Sequence, residues 1–399
     1  MFTTGTSRTT IKLSNGVEMP VVALGTAPLS TSHDDTSHFH PLNSFNGFLP
    51  EQAYRSVHVA VLEMNSNTNN DNDNDKNKKN NNDDDDDDDD DTKDDTKDDA
   101  PSSIPVQVHI DTALYYRTHP HIRHVLGTAF ATGQKKRSDI FLTTKICHPN
   151  FDDQFGTEDL HHCLPLDSTY SCELNTYDEM YSFAYRQFQQ SLHECGIGYF
   201  DLVLLHWPAR NAQHRLAMWN VLEDCYQKGW TRAIGVSNFN EHHLEELQTM
   251  NEAMKRKRKN INDTNNTKGA VAVRPHVNQI EASVFLQHRN ILNYCQSQGI
   301  VTAAYSPLGR GVTQVTTNEI VQRIAAKYPG KDSGQIAMKY LLQKGYGCVV
   351  FWTTNVERIH SNHQLHDFQL DKTDMVELDA LNRLDGSGTW GLLSPYEIP

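Results

Sequence analysis

Four acid–base side chains recur at one kind of place in this 399-residue chain, where a β-branched run ends. HIDTALYY supplies Asp111 and, five residues on, Tyr116; FLTTK supplies Lys145; DLVLLHWP supplies His206. A carboxylate, a phenol, an ammonium and an imidazole brought to one mouth could pass a proton and steady developing charge. Each alone has a plainer reading. Asp111 could cap the next turn, Lys145 could be solvated, and a lone His at a strand end is more often structural than catalytic. Four together, each in phase with one of three consecutive strands, are harder to set aside.

Bringing them together needs parallel strands that finish at one face. Eight short runs read as strands: 21–25, 106–111, 140–145, 202–206, 233–236, 276–280, 301–305 and 348–351. Amphipathic stretches alternate with them at 51–64, 121–131, 179–194, 216–227, 241–250, 289–298, 318–343 (split near Pro329-Gly330), 356–364 and 371–383. The alternation predicts an α/β fold, a closed (β/α)₈ TIM barrel forming one domain over 10–399. A doubly wound open sheet is the competitor, but no Gly-rich fingerprint follows the first strand. Before that strand, Asn15-Gly16 between IKL and VEM predicts a hairpin with a type I′ turn.

Two low-complexity insertions interrupt the pattern, an Asn/Asp-rich one at 66–100 and a basic, Asn-rich one at 255–268. Both fall between a helix and the next strand, hence on the bottom face of a barrel, and both are too polar to repay their ordering entropy. Two further expansions, at 26–51 and 147–178, follow strand ends and so belong to the mouth, where substrate choice is tuned.

The formal charge of −15 misleads until it is divided. Residues 66–99 hold 16 Asp and 5 Lys, a net −11, so the rest of the chain carries only −4. Nucleic-acid binding finds no support in such a chain. No apolar run reaches the length of a membrane span, and the N-terminus lacks a signal peptide's apolar core, so a cytoplasmic protein is expected. The seven cysteines, at 147, 163, 172, 195, 225, 295 and 348, are odd in number and scattered, which fits a reducing compartment. His161, His162, Cys163 and Cys172 lack the spacing of a tetrahedral site, and no metal is expected.

These segments together resemble the aldo-keto reductase family, of the aldose/aldehyde reductase kind. HIDTALYY, the third-strand Lys, LLHWP and GVSNFN stand in the family's order and strand context, over nearly the whole chain outside the insertions. The resemblance implies a catalytic tetrad of Asp111, Tyr116, Lys145 and His206. Tyr116 would donate a proton to a carbonyl oxygen while NADPH delivers hydride to its carbon, with NADH as the alternative. A nearby Lys145 would lower the phenol's pKa, Asp111 would hold Lys145, and His206 would orient the carbonyl.

Cofactor positions implied in the same way are Gly25 and Thr26, then Ser237, Asn238 and Gln279 for the carboxamide. Tyr305 would stack on the nicotinamide, and Ser306 and Leu308 begin the loop over the pyrophosphate. Thr353, Arg358 and Asn362 follow the last strand. There Trp352 replaces the Lys that meets the 2′-phosphate in the family, and Arg310 reads as a solvated side chain. His206, Trp207 and Tyr115 would face the substrate. Ala27-Pro28 removes one aromatic wall, and Trp390 in the tail could close the pocket. The expected partner is a small carbonyl compound, and the expected assembly a monomer or weak dimer. Two rivals share the barrel: a nucleotide-binding regulatory subunit with little turnover, and a phosphate-binding lyase or isomerase.

Overall fold

A computed structural model of the chain describes residues 9–27, 50–64, 107–148, 174–261, 272–384 and 395–396. The first pair of strands, β1 (Thr10–Lys12) and β2 (Glu18–Pro20), is an antiparallel hairpin with Ile11 opposite Met19. Eight parallel strands follow: β3 (Val22–Gly25), β4 (Val108–Asp111), β5 (Ile140–Ile146), β6 (Phe200–Leu205), β7 (Thr231–Ser237), β8 (Val277–Glu281), β9 (Val301–Tyr305) and β10 (Cys348–Phe351). They pair in chain order, and β10 returns to β3 with Val349 opposite Val22, so the sheet closes. The (β/α)₈ barrel is what the chain forms, and closure excludes the open sheet.

Alternation along each strand divides the apolar residues between two cores. Ile110, Ile140, Leu142, Val203 and Leu205 pack outward under the helices. Phe141, Leu202, Leu204, Ala233, Val277, Ala303, Cys348 and Val350 form a separate inner cluster, joined by Leu13 and Met19 of the hairpin. The hairpin therefore plugs one end of the barrel. Continuing the inward phase by twos leads from Phe141 to Lys145, from Leu204 to His206 and from Val277 to Gln279. The same phase also carries His109 and Thr143, buried inside the barrel and 2.9 Å apart, below the polar group at the C-terminal mouth. Gly235 keeps two strands close: a Cβ there would lie 2.4 Å from the Val277 carbonyl oxygen.

The helices are α1 (Pro50–His58), α2 (His119–Ala131), α3 (Tyr177–Cys195), α4 (Ala212–Gln227), α5 (Glu241–Ile261), α6 (Arg289–Ser297), α7 (Glu319–Ala325), α8 (Ser333–Lys344), α9 (Val356–His363) and α10 (Lys372–Asp379). Side-chain caps start several of them. Thr176 with Glu179 and Asp332 with Gln335 form reciprocal boxes that satisfy otherwise orphaned N–H groups.

Three expectations are corrected. The hairpin turn is not type I′: the Gly16 N–H donates to the Leu13 oxygen at 2.9 Å, and Gly16 is left-handed at φ 88° while Asn15 is not. That is a type I turn closed by a glycine bulge, with the Asn15 side chain accepting from the Val17 N–H instead of twisting its own backbone. The stretch 51–64 is not one regular helix, since α1 passes into a π-helical turn at Val59–Glu63. Finally, α5 runs well beyond residue 250, through the basic run read as part of the insertion at 255–268. Lys255 is buried, with its ammonium 2.8 Å from Glu223 of α4. One face of the run is thus held by packing. Residues 66–100 and 262–268, together with Pro28, His161, His162, Cys163, Cys172 and Trp390, lie outside the described residues.

Candidate active site

Asp111 closes β4 and Lys145 stands one residue before the end of β5; both are buried. The Lys145 ammonium pairs with Asp111 Oδ1 and donates to the Thr112 carbonyl at 3.0 Å. The other Asp111 oxygen accepts from the Gln279 amide at 2.8 Å. Tyr116 ends a 3₁₀ turn at Leu114–Tyr116, which swings its ring back over the mouth. Lys145 Nζ lies 5.2 Å from that ring's centroid. His206 stands just past β6, with its backbone N–H donating to the Ile146 carbonyl at 2.8 Å. Its Nε2 is 3.3 Å from the Tyr116 hydroxyl. The four residues read from sequence meet at one point.

Burial sets their electrostatics. It lifts the Tyr116 phenol above its ordinary value, and the Lys145 ammonium pulls back without reversing the shift. The expected lowering is therefore only an opposing effect, because the site is dry enough for desolvation to win. At Lys145, burial favours the neutral amine, but Asp111 and then Tyr116 outweigh it and raise its pKa. Burial, with Lys145 and His148 nearby, holds His206 well below the usual imidazole value. The imidazole is neutral near pH 7.

A second polar group adjoins the first. Ser237, the last residue of β7, donates from its hydroxyl to the Gln279 carbonyl at 2.7 Å. Asn238 takes a left-handed φ of 64°, a strained conformation for a non-glycine residue. Its amide donates to the His206 carbonyl at 3.0 Å, and its Oδ1 accepts from the Tyr305 hydroxyl at 2.9 Å. Ser237, Asn238, Gln279 and Tyr305 are thus brought together beside the tetrad. Thr26, following Gly25 at the end of β3, is tied to the Asp111 carbonyl by its N–H at 2.9 Å and supports that strand end from behind. Tyr115 meets the His206 ring edge-on at 6.4 Å, and Trp207 is buried.

Ser306 (φ 50°) and Leu308 lead into a 3₁₀ turn at Gly309–Gly311. Arg310 in that turn is half-buried rather than solvated, close enough for its charge to act on Tyr116 and Tyr305. Thr353 lies before α9 and Arg358 and Asn362 within it, with Thr353 and Asn362 buried. The Arg358 side chain borders an open cleft of about 500 Å³ shared with Asn355, Ser361, Lys331, Asp332 and Gln335. Cys147, read from the sequence only as one of seven scattered cysteines, also belongs to the site. Its Sγ lies 3.3 Å from His206 Nδ1, and its only sequence signal is its place two residues after Lys145. Among the described residues, no cluster of three His, Cys, Asp or Glu could hold a metal ion, and no helix is long and apolar enough to cross a membrane.

Residues 89–383 match the family model for the aldo/keto reductase family. The chain is 30% identical over 273 residues to YtbE, an uncharacterized oxidoreductase of Bacillus subtilis, across 68% of this chain and 78% of that one. It is 34% identical over 206 residues to the glyoxal reductase of the same bacterium, across 52% of this chain and 65% of that one. A solved aldo-keto reductase of the silkworm, Bombyx mori, complexed with NADPH, shares the fold. It superposes with a TM-score of 0.62 over 95% of this chain and 89% of that one, at 24% identity.

Proposed function

The chain belongs to the aldo/keto reductase family, and from that premise we propose that it reduces aldehydes or ketones to alcohols with NADPH, Tyr116 acting as proton donor. One observation carries the reading: a buried phenol, a neutral imidazole and an ammonium anchored by a carboxylate converge at the barrel mouth.

The residues present suit the cofactor. Ser237, Asn238 and Gln279 offer a hydroxyl and two amides at neighbouring positions, matching the donors and acceptors of a carboxamide. Tyr305 offers an aromatic face beside them. In the loop after β9, the buried Thr313 hydroxyl has no hydrogen-bond partner among the described residues, which suits a donor kept for a phosphate oxygen. Arg358 keeps a guanidinium, the geometry that grips phosphate, although Trp352 stands where the family's Lys would. When bound, the nicotinamide supplies hydride to the carbonyl carbon.

The chain's own groups do the rest. His206 donates from Nε2 to the carbonyl oxygen and stabilises the charge that develops there. Tyr116, kept protonated by burial, gives its proton to that oxygen. Lys145, fixed by Asp111, steadies the phenolate that remains, and the buried surroundings exclude water. The glyoxal reductase among the relatives acts, by its name, on a small dicarbonyl, which favours aldehydes of that size.

The test follows loss of reduced-nicotinamide absorbance with an aldehyde panel, NADPH and NADH in parallel. Turnover is expected with NADPH, and Tyr116→Phe should lower kcat by about 10² to 10⁴, the scale of a positioned acid. Nucleotide binding without turnover of any carbonyl would instead favour a regulatory subunit. Unchanged kcat in Tyr116→Phe would remove Tyr116 as the acid.

A further inference from the structure

A neutral imidazole has one donor and one acceptor nitrogen, and which is which decides what His206 can do. With the proton on Nε2, the ring donates toward the carbonyl oxygen and Tyr116. With the proton on Nδ1, the Nε2 lone pair faces the Tyr116 hydroxyl at 3.3 Å and competes for the very proton the carbonyl must receive. Something must choose between these tautomers.

The group beside Nδ1 is the thiol of Cys147, at 3.3 Å. Its place is fixed by a helix rather than a loop. Gln187 of α3, wholly buried, accepts from the Cys147 N–H at 3.0 Å and donates to its carbonyl at 2.6 Å. The thiol itself is buried and forms no disulfide. Sulfur accepts hydrogen bonds weakly and S–H can donate, whereas an imidazole nitrogen is a good acceptor. The favoured arrangement is therefore S–H donating to Nδ1. Resting on the reductase reading above, we propose that Cys147 is a positioning residue: its thiol donates to His206 Nδ1 and so holds the Nε2–H tautomer that faces Tyr116 and the carbonyl. No group changes charge in this role, and no bond to sulfur forms or breaks.

Packing alone would also explain a small buried cysteine, so the test separates donor ability from size. Cys147→Ser keeps a donor; Cys147→Ala and Cys147→Val do not. In the full-length enzyme with NADPH, the Ala and Val forms should lose about threefold to tenfold in kcat, the worth of one neutral hydrogen bond, and Ser should recover most of it. The KM for NADPH should stay unchanged in all three. Nitrogen-15 NMR of labelled histidine reads the tautomer directly. His206 should be protonated on Nε2 in the wild type and in Ser, and mixed in Ala.

Equal kcat in Ser and Ala, or an Nδ1-protonated His206 in the wild type, would overturn the proposal. If Ala and Val do not fold, the wild-type and Ser spectra still decide it. A protein that turns over no carbonyl yet shows Nε2–H in the wild type and a mixture in Ala loses the reductase reading and keeps the cysteine's hold on the ring.

Discussion

At the scale of single residues, the site has a preferred protonation state, and that gives a direction to its pH dependence. Burial raises the Tyr116 phenol above its ordinary value near 10, against the pull of Lys145. Carbonyl reduction needs the protonated phenol, so kcat should stay level from about pH 6 to pH 9 and fall only at higher pH. Alcohol oxidation needs the phenolate, which grows as pH rises, so kcat in that direction should climb across the same range. Measuring kcat against pH in both directions checks the pair of outcomes. An inflection near pH 7 in reduction would point to another acid. His206 would not supply it, because burial keeps that ring neutral far below pH 6.5. The tetrad was legible in the sequence because Asp111, Lys145 and His206 sit at or beside strand ends in the inward phase and Tyr116 follows Asp111 in the next turn. The sign of the Tyr116 shift was not, since the side chains that exclude water come from distant segments. Cys147 and His206 are 59 residues apart, and no local pattern joins them.

Among the elements, the barrel strands were legible where alternation or an apolar run reached both ends, and β9 and β10 fall on the bounds read from sequence. The C-terminal half of α5 was not legible, because five consecutive basic residues look like a solvated loop. Tertiary contacts decide otherwise. The Glu223 carboxylate is completely buried, accepting from the Asn251 amide at 2.8 Å and the Val273 N–H at 2.7 Å, and Lys255 is its counter-charge. Lys255→Met leaves that charge buried and unbalanced, and should cost about 3 kcal/mol of stability. Arg256, one residue on, is largely exposed and, among the described residues, pairs within its own helix, so Arg256→Ala should change stability by no more than about 0.5 kcal/mol. Urea unfolding of the two variants should separate them clearly. Equal losses would mean that the buried pair does not stabilise the α4–α5 contact.

For the whole molecule, the buried imidazoles set a direction for stability against pH. Burial lowers His109, His288 and His363 to about 4 and His148 to about 3. The unfolded chain protonates the same rings near 6.5, so between about pH 6.5 and pH 4 it binds more protons than the folded chain. Stability should therefore fall as pH drops through that window, seen as a declining Tm; a Tm that stayed flat would mean that these rings take up protons without unfolding. The acidic tract should matter far less to the chemistry. The tract falls in sequence between Met64, after α1, and Gln107, just before β4. Gln107 is four residues from Asp111, about 13 Å along the strand and at the opposite end from the mouth. At physiological salt the field of solvated charges decays over about 8 Å, so charge held near that point would be screened before it reached the tetrad. Deleting residues 66–99 should then leave kcat/KM within about twofold, since bottom-face loops of such barrels serve stability rather than chemistry. A protein that keeps its circular-dichroism spectrum and Tm but loses most of its turnover would show that the tract reaches the catalytic face.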